Sequence, residues 1–297
     1  MTFLRAVLGL VFGDVYGLQY ECLWPKPQMQ WIDPSSLGFG CVDECGGRCC
    51  YSDDTEMLLA AAKCVSSLGS VEDFAKCLAQ SLDVSNRVRY YSTAMKRVVS
   101  YIRSGYPWLD AVHSAMDLCR EDPSPVPRAL IAVALCSDIE CVEKVASTQA
   151  VATHACREAV ERSKAFALAA YLIVREGLSH RAAIEELPTV SRWHEPLAST
   201  LKLVPEVFSD PPFAVVKTLR SYGCTALELG LVAAYGASSV LDALARAISL
   251  GGDVDTSAAI ACSLLAASKR SPPLDLLSRV EGLESVVSLA LRLSLRR

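Results

Sequence analysis

Residues 251–267 read GGDVDTSAAIACSLLAA, and this stretch decides the fold class. Two glycines permit a tight turn, Asp253, Asp255 and Thr256 are residue types that cap a helix and suit its positive end, and an Ala/Leu-rich run follows without a breaker. Helical spacing of apolar residues recurs elsewhere: Leu58, Leu59, Ala62 and Val65 after SDDT, then Ala165, Leu168, Ala169 and Ile173. Strand signals are nearly absent. Breakers such as SLGS at 67–70, SGYP at 104–107, EDPSPVP at 121–127, SDPP at 209–212 and SPP at 271–273 divide the helical segments. The pattern predicts an all-α chain, a single compact orthogonal bundle of roughly a dozen or more helices. No linker, low-complexity tract or fixed repeat interrupts it, so residues 1–297 read as one domain rather than a solenoid.

Composition narrows the function. The chain has 297 residues, 52% of them hydrophobic, and a formal charge of -4. That is enough apolar chain for a large core. It leaves no basic surface for a nucleic-acid backbone, so no nucleic-acid partner is expected. The opening MTFLRAVLGLVFGD resembles a leader peptide, but Asp14 interrupts it and it reads as the first helix. The run KAFALAAYLIV at 164–174 ends at Arg175, short of the roughly 20 residues that span a bilayer. A soluble, cytoplasmic monomer that does not engage membranes is expected.

Thirteen cysteines are many for such a chain, and Cys41, Cys45, Cys49 and Cys50 crowd into CVDECGGRCC. Their spacing is not the paired CxxC of a zinc site and no histidine is near, which argues against a metal there but leaves room for a disulfide or two. Cys64, Cys77 and Cys262 fall in apolar periodic segments and read as small buried hydrophobes. The stretch from Cys22 to Tyr51 reads as a long irregular loop of the lid or binding kind, with Trp24, Trp31, Phe39 and Tyr51 as candidates to stack on a base.

Two acidic clusters carry the chemistry: Ser52, Asp53, Asp54 and Thr55 open one helix, and Asp253, Asp255 and Thr256 open another about 200 residues later. Capping is the simple reading of either alone. Capping needs one residue, however, and a second aspartate adds repulsion that a cation would relieve. Four carboxylates with hydroxyls and no sulfur or imidazole form the donor set preferred by Mg²⁺ or Mn²⁺. If the two helix starts meet, they form a two-ion site.

With GDVYGLQYE at 13–21, SDDT at 52–55 and GGDVDT at 251–256 in this order, the chain resembles the ADP-ribosylglycohydrolase family. Thr153 and His154 match a weaker family element. The resemblance implies an all-helical hydrolase that cleaves the bond between ADP-ribose and a modified arginine or serine side chain. It implies that Ser52, Asp53, Asp54, Asp253, Asp255 and Thr256 hold two Mg²⁺ or Mn²⁺ ions in a cleft, where the ions meet the ribose hydroxyls. By the same resemblance Glu21, in a loop-like segment after the first helix, is a mobile carboxylate near the scissile bond. His154 lines the ADP-ribose groove, Gly46, Gly47 and Gly252 belong to substrate binding, and either Glu21 or Asp54 moves the proton. Asp14 reads as a supporting partner or cap.

Two departures qualify that picture. The family carries a Gly-Asn-Gly loop before an Ala-Met-Arg helix, and this chain has SPVPRALIAVA at 124–134, with Val126 and Pro127 where Asn and Gly are expected. Arg128 is then the candidate to meet the diphosphate. Val254 replaces threonine between the two aspartates and is expected to pack inward. The altered loop favours an alternative, a catalytically weak relative that senses ADP-ribose or serves a structural role. His113, His180 and His194 read as surface or capping residues, and Trp108 and Trp193 as packing.

Overall fold

Helix Val254–Ser268 is enclosed on every side, its residues buried from Val254 to Ala267 in the computed structural model, which describes residues 1–23, 26–223, 225–269 and 271–295. The N-terminal helix, Thr2–Leu23, lies against it in the most extensive interface of the fold. Gly9, Gly13 and Gly17, four residues apart, turn one helix face toward the partner backbone. A Cβ at Gly13 would overlap the Ala258 carbonyl, and one at Gly17 would lie 2.8 Å from the Val254 oxygen. The close approach is therefore written in glycine. Helices Arg157–Val174, Ala226–Gly236 and Val240–Leu250 complete the enclosure.

The fold is all-α, with one buried core running from Phe3 to Leu293 and a small satellite around Val98 and Val112. Among the described residues no helix is long and apolar enough to cross a membrane. Val254 packs inward as expected and is fully buried, and Cys262 fills the helix interface as a buried free thiol.

Four expectations need correction. Glu21 does not follow the first helix but sits in its last turn, because the helix continues to Leu23. The long loop is consequently shorter and partly ordered: a 3₁₀ turn at Pro34–Ser36 precedes an antiparallel pair, Glu44–Cys45 with Arg48–Cys49. Gly46 and Gly47 form its turn, with φ of 61° and 77°, the left-handed region that such turns demand. Cys64 and Cys77 are not separate core hydrophobes but a disulfide, alongside Cys41–Cys49, Cys45–Cys50, Cys119–Cys156 and Cys136–Cys141. His180 is buried rather than on the surface, at the start of helix His180–Val190.

The loop rings are also committed internally. Phe39 packs edge-on to Tyr16, Arg246 covers Trp31 at 4.6 Å, and Arg89 covers Tyr51 at 4.0 Å. Trp24 lies outside the described residues. Trp108 and Trp193 pack as expected, their indole N–H groups donating to the carbonyls of Ala152 and Leu187.

Candidate metal centre

Capping at the two acidic helix starts is done by few groups, which leaves the others free. For helix Asp53–Lys63 the N-cap is Ser52, whose hydroxyl accepts from the Asp54 amide at 3.3 Å. Asp14, fully buried in the N-terminal helix, accepts from the amides of Ser52 and Thr55, each at 3.0 Å, and from the Thr55 hydroxyl. Asp53 and Asp54 are spared that duty. At the other start, Asp253 occupies the N-cap position without a side-chain capping bond, while Asp255 accepts from the Thr256 amide at 2.7 Å. Asp14 thus supports the first of these helix starts, and Asp53, Asp54 and Asp253 make no side-chain capping bond.

The spared carboxylates converge. A pocket of about 80 Å³ is lined by Glu21, Asp53, Asp54, Asp122, Asp253 and Asp255, with Thr256 beside them. Carboxylate oxygens of Glu21, Asp253 and Asp255 all lie within 4.8 Å of one another. Glu21 Oε2, Asp54 Oδ2 and Asp253 Oδ1 are buried with no hydrogen-bond partner. Among the described residues no basic side chain forms an ion pair with Glu21, Asp53, Asp54, Asp253 or Asp255.

Burial, and then mutual repulsion, push the carboxyls of Asp53, Asp54, Asp253 and Asp255 well above the usual carboxylate range. Burial raises Glu21 as well. Two like charges ~4 Å apart near a protein surface repel by about 4 kcal/mol, so this cluster is unfavourable as bare anions. A divalent cation reverses the sign of every one of those terms, and an all-oxygen donor set matches Mg²⁺ or Mn²⁺ rather than a softer metal. The residues present therefore fit such ions.

A family model described as ADP-ribosylglycohydrolase matches residues 2–297. The chain belongs to the ADP-ribosylglycohydrolase family. Its fold is similar to that of a solved structure titled "ADP-ribosylglycohydrolase-related protein complex", at a TM-score of 0.63 and 24% identity over 99% of this chain and 97% of the other. No curated protein matches it significantly. Membership of a metal-dependent glycohydrolase family agrees with the acidic pocket.

The remaining expected site residues of this family member divide. Ser52 is fully buried and does not line the pocket, and its hydroxyl accepts from the Asp54 amide. Gly252 lines a groove next to the pocket. Gly46 and Gly47 are exposed at the hairpin tip, with no other residue near enough to touch an added Cβ. Arg128 does not face the pocket: it is fully buried, and its guanidinium donates to Gln149 Oε1 at 2.7 Å, the Gln149 carbonyl at 2.9 Å and Thr153. Burial lowers its guanidinium to about 10. With its fork so committed, it is not offered to a diphosphate. Val126 and Pro127 are buried too, and it is Asp122, Pro123 and Ser124 that reach the pocket wall from the altered loop.

Asp122 is the residue that motif reading missed, since EDPSPVP registers only as a helix breaker. His154, itself buried, brings Nε2 to 3.3 Å from Asp122 Oδ2, without the alignment of a hydrogen bond, while its Nδ1 meets the Thr153 hydroxyl at 2.8 Å. Burial pushes the Asp122 carboxyl up, but His154, Ser124 and Ser92 outweigh it and hold the group below the usual range. Asp122 thus stands apart from its neighbours in the pocket as a stable anion. Its signal, an aspartate beside a matched Thr-His element, lies in no single segment.

Proposed function

We propose that this chain is a metal-dependent hydrolase that removes ADP-ribose from a modified protein side chain, arginine or serine. The observation that carries the reading is the convergence of five unpaired carboxylates, from three helices far apart in sequence, on one small pocket. Asp53, Asp54, Asp253, Asp255 and Thr256 hold two Mg²⁺ or Mn²⁺ ions, with Ser52 capping the helix that carries Asp53 and Asp54. When bound, the ions supply the positive charge that orients the ribose hydroxyls and acidifies the attacking water.

The chain's own groups do the rest. Glu21, in the last turn of the first helix and less buried than Asp53, Asp54 and Asp255, accepts the proton of the water that attacks the ribose C1″ carbon. The glycosidic C–N or C–O bond breaks as the water oxygen bonds to C1″, and the departing side chain takes the proton that Glu21 accepted. Asp54, deeper in the acidic cluster, serves as a ligand. His154 and Asp122 form the wall from which the substrate is oriented.

The reading is tested by incubating the protein with ADP-ribosylated arginine and serine peptides, with and without Mn²⁺, and measuring released ADP-ribose. Metal-dependent release is expected. Tight, metal-linked ADP-ribose binding with no release would instead identify a sensor, and neither would identify a structural role.

A further inference from the structure

The carboxylate pocket suits cations but has no room and no positive charge for a diphosphate. At about 80 Å³ it is far below the 300–1,000 Å³ of small-molecule sites, and its lining is acidic. Two grooves adjoin it. One, of about 260 Å³, runs past Ser92, Thr93, Glu121 and Asp122 and carries no basic side chain. The other, of about 460 Å³, shares Pro123 and Asp253 with the pocket, includes Gly252, and is flanked by Arg120 and Arg220. Only the second can take an anion.

We propose that this arginine-flanked groove binds the phosphate-bearing arm of the substrate, with Arg120 and Arg220 as its phosphate ligands. The assignment rests on the ADP-ribose reading above and specifies how this chain replaces the missing Gly-Asn-Gly amides. The groove is a built feature: the buried Arg162 ties its two walls together. One Arg162 nitrogen donates to the Arg120 carbonyl at 3.0 Å, another to the Gly223 carbonyl at 2.8 Å, and Nε to Glu228 at 3.0 Å. Glu228 in turn accepts from the Thr225 amide at 2.8 Å, closing a capping box at the start of helix Ala226–Gly236. Arg162 is a positioning residue, fixing the backbone from which both ligand arginines project.

The two guanidinium groups are free to bind. Arg220 is exposed and has no ion pair or side-chain hydrogen bond among the described residues. Arg120 makes one contact, to Glu158 at 3.4 Å, with its side chain 65% exposed. An exposed pair of that kind contributes little and yields readily to a phosphate, which takes two parallel N–H···O bonds from one guanidinium. Glu121 and Asp253 also line the groove. Asp253 marks its metal end, so a ligand with ribose at that end lays its phosphates toward the arginines.

Calorimetric titration of the wild type, Arg120→Gln, Arg220→Gln and the double variant tests this with two probes: ADP in EDTA, and ADP-ribose in Mn²⁺. The wild type is expected to bind ADP without any divalent ion. Each single variant should weaken both probes about tenfold, and the double variant about a hundredfold, with an unchanged Mn²⁺ isotherm. Variants that bind ADP as the wild type does, or a wild type that binds no ADP, overturn the groove assignment. If the arginine variants lose ADP while the wild type hydrolyses no ADP-ribosyl peptide, the hydrolase reading falls and the phosphate site stands.

Discussion

At its N-terminal end helix Val254–Ser268 carries Asp253 and Asp255 into an acidic pocket of about 80 Å³; at its C-terminal end Ser268 meets His180 beside a cavity of about 880 Å³. The larger space is the less acidic one. Among its lining serines, Ser179 and Ser239 accept from the amides of Ala182 and Asp242 as ordinary helix caps, and Ser268 is bonded to His180. At the small pocket the groups that could cap do not, and three carboxylate oxygens are buried without a partner. Clustered carboxylates, not volume, distinguish the acidic end: His180 Nε2 at the other end is also buried without a partner, but it stands alone.

The largest expected effect comes from Asp255→Asn at the acidic end. Turnover should fall on the order of 10³-fold or more, comparable with loss of a main electrostatic group. Mn²⁺ should no longer raise the melting temperature, whereas it should stabilise the wild type by ~2.7 kcal/mol at a hundred times its Kd. The metal-free variant should melt no lower than metal-free wild type, since a repulsive charge is gone. Full activity in Asp255→Asn would erase the distinction between the two ends.

Glu21→Gln is next, with an expected loss of about 10²–10⁴-fold in turnover and nearly intact ADP-ribose binding in a titration. Loss of binding instead would move Glu21 from proton transfer to ligation. Between the two ends, Gly13→Ala drives a methyl into the Ala258 backbone and should cost about 1–3 kcal/mol in denaturant unfolding. An unchanged midpoint would show that the long helix pair can slide.

The smallest effect belongs to the quiet end. Burial, aided by Lys269 and Arg181, lowers His180 to about 4. A folded value below the ordinary one means the stability from a neutral His180 is present above pH ~6.5 and lost as pH falls toward 4. We expect wild type to lose about 1–2 kcal/mol more than His180→Gln across that interval in pH-dependent unfolding. Parallel curves would show that His180 is protonated in the fold.

Much of this was readable in one dimension where the chemistry is local. Helix starts at SDDT and GGDVDT, the inward Val254 and the supporting Asp14 follow from capping and periodicity, which act over a few residues. The pairing of Cys64 with Cys77 and of Cys119 with Cys156 was hidden, because a disulfide depends on where two backbones end up in space. For the same reason Arg128 lost its expected part, and Asp122, which no motif flagged, gained a place at the pocket wall. The loop bearing both turns Arg128 into the core and Asp122 toward the pocket, and depth is not encoded in a motif.

By itself the sequence determined that the chain is all-helical, which helices begin with surplus carboxylates, and which family it belongs to, since these depend on residue type and short spacing. Only the tertiary structure decided that the carboxylates meet with no basic side chain paired to them among the described residues, that Arg128 is withheld, and that Arg120 and Arg220 flank the groove leading away from them. Those facts arise from long-range packing, in which glycine-lined helices bring residues some 200 positions apart to the wall of one pocket.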